Sequence, residues 1–182
     1  MKGSLKAIMA VLGFALIICA VSAAGNSPGN GKAQFVNLIE KTPVPTGAYP
    51  WVTDGASGKL MYKASPKPMF VFNAQGMAPA TEYALISYAE PWGSVSNVLG
   101  TAVSDEAGGV HIKGTWNVNN LVCNKYPTPT SEEYSGTGSK IWLVPTSDFT
   151  VSTGLFTAWN PTEYLFETKL VNTGCQVVTP PA

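Results

Sequence analysis

Between Gln34 and Val171 the apolar residues recur with a period of two, in runs of four to ten residues separated by turn chemistry. No segment of useful length repeats them at helical spacing. A chain with this rhythm buries one side of each short strand and has nothing to lay down as an amphipathic helix, so an all-β fold is expected. Candidate strands are Gln34–Glu40, Lys59–Ala64, Met69–Phe72, Tyr83–Tyr88, Asn97–Val103, Val110–Trp116, Lys140–Val144, Leu155–Trp159 and Thr162–Val171. Met69-Phe70-Val71-Phe72 is apolar at every position, which suggests a strand buried on both faces. Asn97–Val103 and Val110–Trp116 flank Ser104–Gly109, whose glycines supply positive φ, a hairpin signal. In Val110–Trp116 the apolar set alternates with His111, Lys113 and Thr115, which predicts one wet face. In Thr162–Val171 the pattern puts Tyr164, Phe166 and Leu170 inward and Glu163, Leu165, Glu167 and Lys169 outward.

The stretch Gly76-Met77-Ala78-Pro79-Ala80-Thr81-Glu82-Tyr83-Ala84-Leu85-Ile86-Ser87-Tyr88 resembles the E–F corner and F strand of fibronectin type III and related immunoglobulin-like domains. The resemblance implies a single antiparallel β-sandwich of Greek-key type. It also implies a tyrosine corner, in which the Tyr83 ring enters the core and its hydroxyl bonds to backbone just upstream. Two further stretches, Asp54–Lys63 and Trp159–Glu167, are similar to small uncharacterised exported proteins of methanogenic archaea. That similarity implies a cell-surface location and brings no activity with it.

Met1–Ala24 has the layout of a secretory signal: Lys2 and Lys6, an apolar run Ala7–Val21, then the small-residue site Val21-Ser22-Ala23. An uncleaved anchor is the rival reading. Cleavage leaves a flexible leader (25–32), one domain (33–178) and a tail (179–182), with no membrane span. Export makes the remaining even pair of cysteines, Cys123 and Cys175, a candidate disulfide.

Composition narrows function. The chain has 11 Lys and Arg against 11 Asp and Glu, all the cations being Lys, and charged residues are 12% of the total. With no basic excess, nucleic acid is not an expected partner. The single histidine, His111, sits on the polar side of a strand, so no Ser–His–Asp or Cys–His machine is expected. His111 and two distant cysteines do not make a zinc set, and no cofactor or metal is expected. Glu132/Glu133 and Glu163/Glu167 are the acid pairs that a glycoside hydrolase reading would use.

Two non-enzymatic readings stand ahead of that one. Low charge and many β-branched and aromatic residues favour association with like copies or other surface proteins. A structural or adhesive surface subunit is therefore the leading expectation, with Leu165 on the Thr162–Val171 strand as its assembly contact. The alternative is a carbohydrate-binding module. Tyr49 and Trp51 flank Pro50, and Trp92 lies between Pro91 and Gly93, so these rings are candidates to stack on sugar faces; Trp116 is expected in the core.

Overall fold

The computed structural model describes residues 32–43, 49–64, 66–126 and 136–171. They form an all-antiparallel β fold, with no α-helix among them and no helix long and apolar enough to cross a membrane. The strands are β1 (Gln34–Glu40), β2 (Ser57–Lys63), β3 (Met69–Gln75), β4 (Glu82–Tyr88), β5 (Asn97–Val103), β6 (Val110–Gly114), β7 (Asn124–Tyr126), β8 (Gly136–Gly138), β9 (Lys140–Pro145), β10 (Phe149–Thr150), β11 (Leu155–Phe156) and β12 (Leu165–Glu167). Single 3-10 turns occupy Val118–Asn120 and Pro161–Glu163.

Eight strands make one sheet in the order β5-β4-β9-β12-β1-β2-β3-β6, curled until it nearly closes into a barrel. The expected antiparallel all-β class holds, but these strands join in one continuous sheet, not in two facing layers. The expected β5–β6 hairpin is corrected too. The Ser104–Gly109 turn is present, with Asp105 N–H donating to Gly109 O at 2.9 Å, yet β5 pairs with β4 and β6 with β3. The two meet side by side at the seam where the sheet returns on itself. That approach is tight. A Cβ on Gly100 of β5 would lie 2.7 Å from Ile112 Cγ2 of β6, so the seam needs glycine there. A register shift between Leu85 and Ile86 leaves Leu99 unpaired, a bulge that sharpens the bend of β5 towards β6.

The alternating apolar residues fill the barrel: Leu38, Leu60, Phe72, Leu85, Ile112 and Leu143 are among those buried there. Trp116 is 2% exposed and stacks on Tyr62 at 4.4 Å, in the core as expected. Tyr83 is also interior, and its hydroxyl accepts a hydrogen bond from Ala78 N–H at 3.2 Å. Ser104 holds the same corner, its Oγ donating to Ala78 O at 2.6 Å and accepting from Thr81 N–H at 3.0 Å.

Two burial expectations change. Met69 is 46% exposed and β3 alternates, so it is buried on one face only. The strands covered on both faces are β4, buried from Tyr83 through Tyr88, its neighbour β9, buried from Ile141 through Pro145, and β12. The Thr162–Val171 strand is shorter than its pattern: a 3-10 turn takes Pro161–Glu163, and only Leu165–Glu167 joins the sheet. Strand β12 is interior, between β9 and β1, and Leu165 is fully buried in the barrel. Leu165 is thus neither outward-facing nor on an edge, which corrects its placement as an assembly contact. Tyr164 and Phe166 point the other way, into a second cluster outside the barrel.

Candidate functional site: an aromatic platform on the barrel wall

The second cluster begins with the outward residues of three neighbouring strands: Ala84, Ile86 and Tyr88 on β4, Trp142 and Val144 on β9, Phe166 on β12. Tyr88 and Trp142 stack at 3.7 Å with their planes 10° apart, and Phe166 stands edge-on to Trp142 at 5.0 Å. An outward face this apolar needs a cover, and the chain supplies one after β9. Residues 146–164 return across it, bringing Phe149 and Phe156 on the β10–β11 ladder and then Tyr164.

The cover is fixed by hydrogen bonds. Asp148, 4% exposed, accepts from the Tyr164 hydroxyl at 2.8 Å and from Asn160 Nδ2 at 2.9 Å, while its carbonyl accepts from Thr157 N–H at 2.8 Å. Burial pushes the Tyr164 phenol well above its ordinary value; the Asn160 N–H bond opposes this and Asp148 adds to it. Gly154 takes φ +70°, and a Cβ there would lie 2.2 Å from Ser96 O. That close approach lets Ser96 N–H donate to Gly154 O at 2.8 Å, tying the loop that carries Trp92 to the β10–β11 turn. Beside Trp92, Glu90 forms an ion pair with Lys140.

On this base stand rings that are only half covered. Trp92 is 49% exposed, Tyr49 40%, Trp51 39% and Trp159 38%. Trp159 is the hub: Trp92 meets it edge-on at 5.0 Å and 77°, Tyr49 edge-on at 6.2 Å and 75°, and Trp142 lies behind it at 5.9 Å. Trp92 also rests on Phe156 at 4.6 Å. Trp51 joins through Lys41, whose Nζ lies 4.0 Å from the Trp51 ring centre and 5.5 Å from that of Phe166.

The structure therefore brings Tyr49, Trp51 and Trp92 to one face, although Trp51 and Trp92 are 41 positions apart in the chain. Sequence reasoning missed Trp159 as their centre. It precedes Asn160-Pro161, the same kind of loop context that marked the other three. Trp142 and Phe156 were also missed; the unbroken apolar run Ile141–Val144 was the sign that β9 has two buried faces.

Of the acid pairs, Glu163/Glu167 does not converge on this face. Glu163 is exposed, while Glu167 is fully buried and its Oε2 accepts from Ile141 N–H at 3.1 Å, continuing the ladder. Glu132 and Glu133 lie outside the described residues. His111 lies on β6 with its Nδ1 2.7 Å from Asn73 Oδ1, on a different face. Among the described residues, no three His, Cys, Asp or Glu side chains gather as a metal set. Cys123 is 5% exposed and disulfide-bonded; Cys175 lies outside the described residues, as do the signal segment and the tail.

A scan against protein-family models and comparisons with curated proteins and with solved structures found no match to this chain. The functional reading rests on the platform itself.

Proposed function

We propose that this is an exported, non-enzymatic binding protein whose aromatic platform takes carbohydrate at the cell surface. The observation that carries the reading is the contact of two half-exposed rings, Tyr49 and Trp92, with a third, Trp159. Single exposed aromatics are ordinary, but a contiguous group marks an interaction surface. Tyr and Trp offer wide, rigid contact area with little side-chain entropy to lose. Here the rings are held further by the Asp148–Tyr164–Asn160 bonds and the Gly154–Ser96 contact, so the surface is shaped before a ligand arrives. Flat apolar faces of this kind suit the C–H faces of pyranose rings, with glycan hydroxyls left at the wet margin.

Export is supported by the layout of Met1–Ala24 and by the oxidised state of Cys123. The immunoglobulin-like relation is retained as a reading of the Gly76–Tyr83 corner, and the similarity to exported methanogen proteins suggests the kind of surface concerned. A structural or adhesive subunit is the second reading. It is favoured by the β5 and β6 edges, which no strand among the described residues pairs across the seam.

Titration of the mature protein with soluble glucan, xylan and chitin oligosaccharides should quench tryptophan fluorescence. Trp92→Ala and Trp159→Ala should each abolish the response. A broad glycan series with no change in fluorescence or calorimetric heat overturns the carbohydrate reading. Concentration-dependent sedimentation of the same protein would then speak for assembly.

A further inference from the structure

Going around the barrel from the platform, the sheet continues through β1, β2, β3 and β6, and its outer side there has a different chemistry. The register lines up residues from different strands in rows. Asn37 faces Lys59, Lys59 faces Asn73, and Asn73 faces His111. The next row runs Phe35, Met61, Val71 and Lys113, and Lys63 pairs with Met69 beyond it. On the other side of the Asn–Lys row, Ile39, Ser57 and Gln75 complete the face. Three lysines thus stand on this wall, and the four strands present no carboxylate beside them. Glu40 shares the inward side of Leu38, with its Oε2 accepting from Ala56 N–H at 3.0 Å. In the adjoining loop, Asp105 Oδ1 is held by Ala107 N–H at 2.9 Å and Gly109 N–H at 2.7 Å. The outward residues of these four strands thus carry three lysines and no acid, with Asp54 and Glu106 in the adjoining loops.

The wall also has shape. A shallow cavity of about 410 Å3 lies over the row, lined by Asn37, Ser57, Lys59, Asn73 and Gln75 among others. That falls within the roughly 300–1,000 Å3 of small-ligand sites. The polar part of the lining is the side-chain amides of Asn37, Asn73 and Gln75, the Ser57 hydroxyl and Lys59, set among Leu38, Ile39 and Ala74. Asn73 Oδ1 can only accept, so His111 Nδ1 carries the hydrogen of their 2.7 Å bond. Lys59 Nζ lies 4.5 Å from the Phe35 ring centre, which holds the ammonium over the wall instead of loose in solvent.

We infer that this second wall binds carboxylate-bearing polysaccharide, a site distinct from the aromatic platform. Lysine ammoniums meet the carboxylates as point charges. The amides and hydroxyl between them match sugar hydroxyls, and the Phe35–Met61–Val71 row meets the C–H side of the chain. Side-chain amides, which both donate and accept, suit the hydroxyls of a sugar polymer better than the phosphates of an anionic lipid surface, which only accept.

Alginate is the probe, with dextran as the uncharged polymer and phosphatidylglycerol vesicles as the lipid alternative. Affinity electrophoresis of the mature full chain should show retardation by alginate that weakens as salt rises, and none by dextran attributable to this wall. Lys59→Gln with Lys113→Gln should weaken alginate binding by about tenfold or more, since each lysine near an anionic surface contributes on that scale. Lys59→Arg with Lys113→Arg should retain it. The salt-sensitive part of the alginate retardation should follow the lysine variants and persist when Trp92 and Trp159 are both replaced by Ala, which separates this site from the platform whatever becomes of the latter. Absence of retardation at low salt, equal retardation of the Gln variant, or binding to vesicles but not to alginate would each overturn the inference.

Discussion

The two walls of the barrel are woven from the same kind of strand and end up with opposite outer surfaces. On β4 and β2 the inward residues are equally apolar, Tyr83 and Leu85 in one, Leu60 and Tyr62 in the other. The difference is in the residues between them. Ala84, Ile86 and Tyr88 leave β4 with an apolar back that residues 146–164 must roof over. Ser57, Lys59 and Lys63 leave β2 with a back that water covers at no cost, Met61 being its one large apolar member. Outward polarity therefore decides where a barrel strand acquires a second layer. The second layer in turn decides where rigid aromatic rings can stand, because Trp159 and Trp92 rest on Trp142 and Phe156 and not on bare sheet.

The harshest way to break this contrast is to place the same charge on either side. Leu165→Lys puts an ammonium into the barrel interior, at a site with no exposure, and should cost several kcal/mol, on the order of the whole stability of a domain this size. Met61→Lys, on the open wall, should stay within about 0.5 kcal/mol of the parent. Urea denaturation followed by tryptophan fluorescence measures both. A folded, cooperative Leu165→Lys protein would show that β12 faces the other way.

Alkaline pH tests both regions at once. Tyr62 lies in the barrel and Tyr88 in the outer layer, and each is pushed from the ordinary 10.0 to about 12, by burial in both cases with the Glu90 charge adding at Tyr88. Between pH 10 and 12 the unfolded chain has lost protons that the folded chain keeps, so unfolding releases protons and stability falls as pH rises. Below pH 10 this contribution is fully present. The phenolate absorbance of Tyr62 and Tyr88 should appear well above pH 10 and together with loss of the fold, and Tyr62→Phe and Tyr88→Phe should each remove part of that step and flatten part of the pH dependence. Titration of all tyrosines near the ordinary value with the fold intact would contradict the burial of both.

Tyr83→Phe keeps the ring in the barrel and deletes the hydroxyl that accepts from Ala78 N–H. It should cost roughly 1–3 kcal/mol through the unpaired backbone group, read as a shift in denaturation midpoint at unchanged slope. An unchanged midpoint would make the corner incidental to the barrel.

Strand positions were legible in the chain because period-two alternation is local: β1 and β5 fall where the pattern put them. The Tyr83–Ala78 contact is local as well, since Gly76 through Tyr83 are close in sequence. What covers the back of a strand is not local. Met69-Phe70-Val71-Phe72 looked more thoroughly apolar than β4, yet the cover that buries β4 arrives about 60 residues later, in 146–164, and falls across β4, β9 and β12. The side to which Leu165 points was lost for a related reason. Glu163, Glu167 and Lys169 marked their alternating set as outward and carried Leu165 with them, yet Glu167 is fully buried, its Oε2 accepting from Ile141 N–H, so charge pointed to the wrong side. Tyr49, Trp51 and Trp92 could be singled out by their Pro and Gly neighbours, but their convergence on Trp159 depends on strand order, which one sequence does not reveal.

The gentlest test concerns the platform's own rings and sharpens the comparison most. Trp142 and Trp92 belong to one aromatic layer, but Trp142 is 6% exposed and Trp92 is 49% exposed. Trp142→Ala removes the stacking partner of Tyr88 and the support behind Trp159, so it should cost about 3–5 kcal/mol, as a buried tryptophan does. Trp92→Ala removes a ring already half in water, whose contacts are Phe156 and the edge of Trp159, and should cost at most about 1 kcal/mol. A ring that gives little to stability while standing in a rigid, exposed group is available for a ligand. Denaturation midpoints and glycan titrations on the same two variants separate these roles. Trp92→Ala should lose binding with its fold nearly unchanged, whereas Trp142→Ala should lose stability first. If Trp92→Ala instead destabilised the protein as much as Trp142→Ala, the platform would be the rim of the outer core and its claim on a ligand would fall.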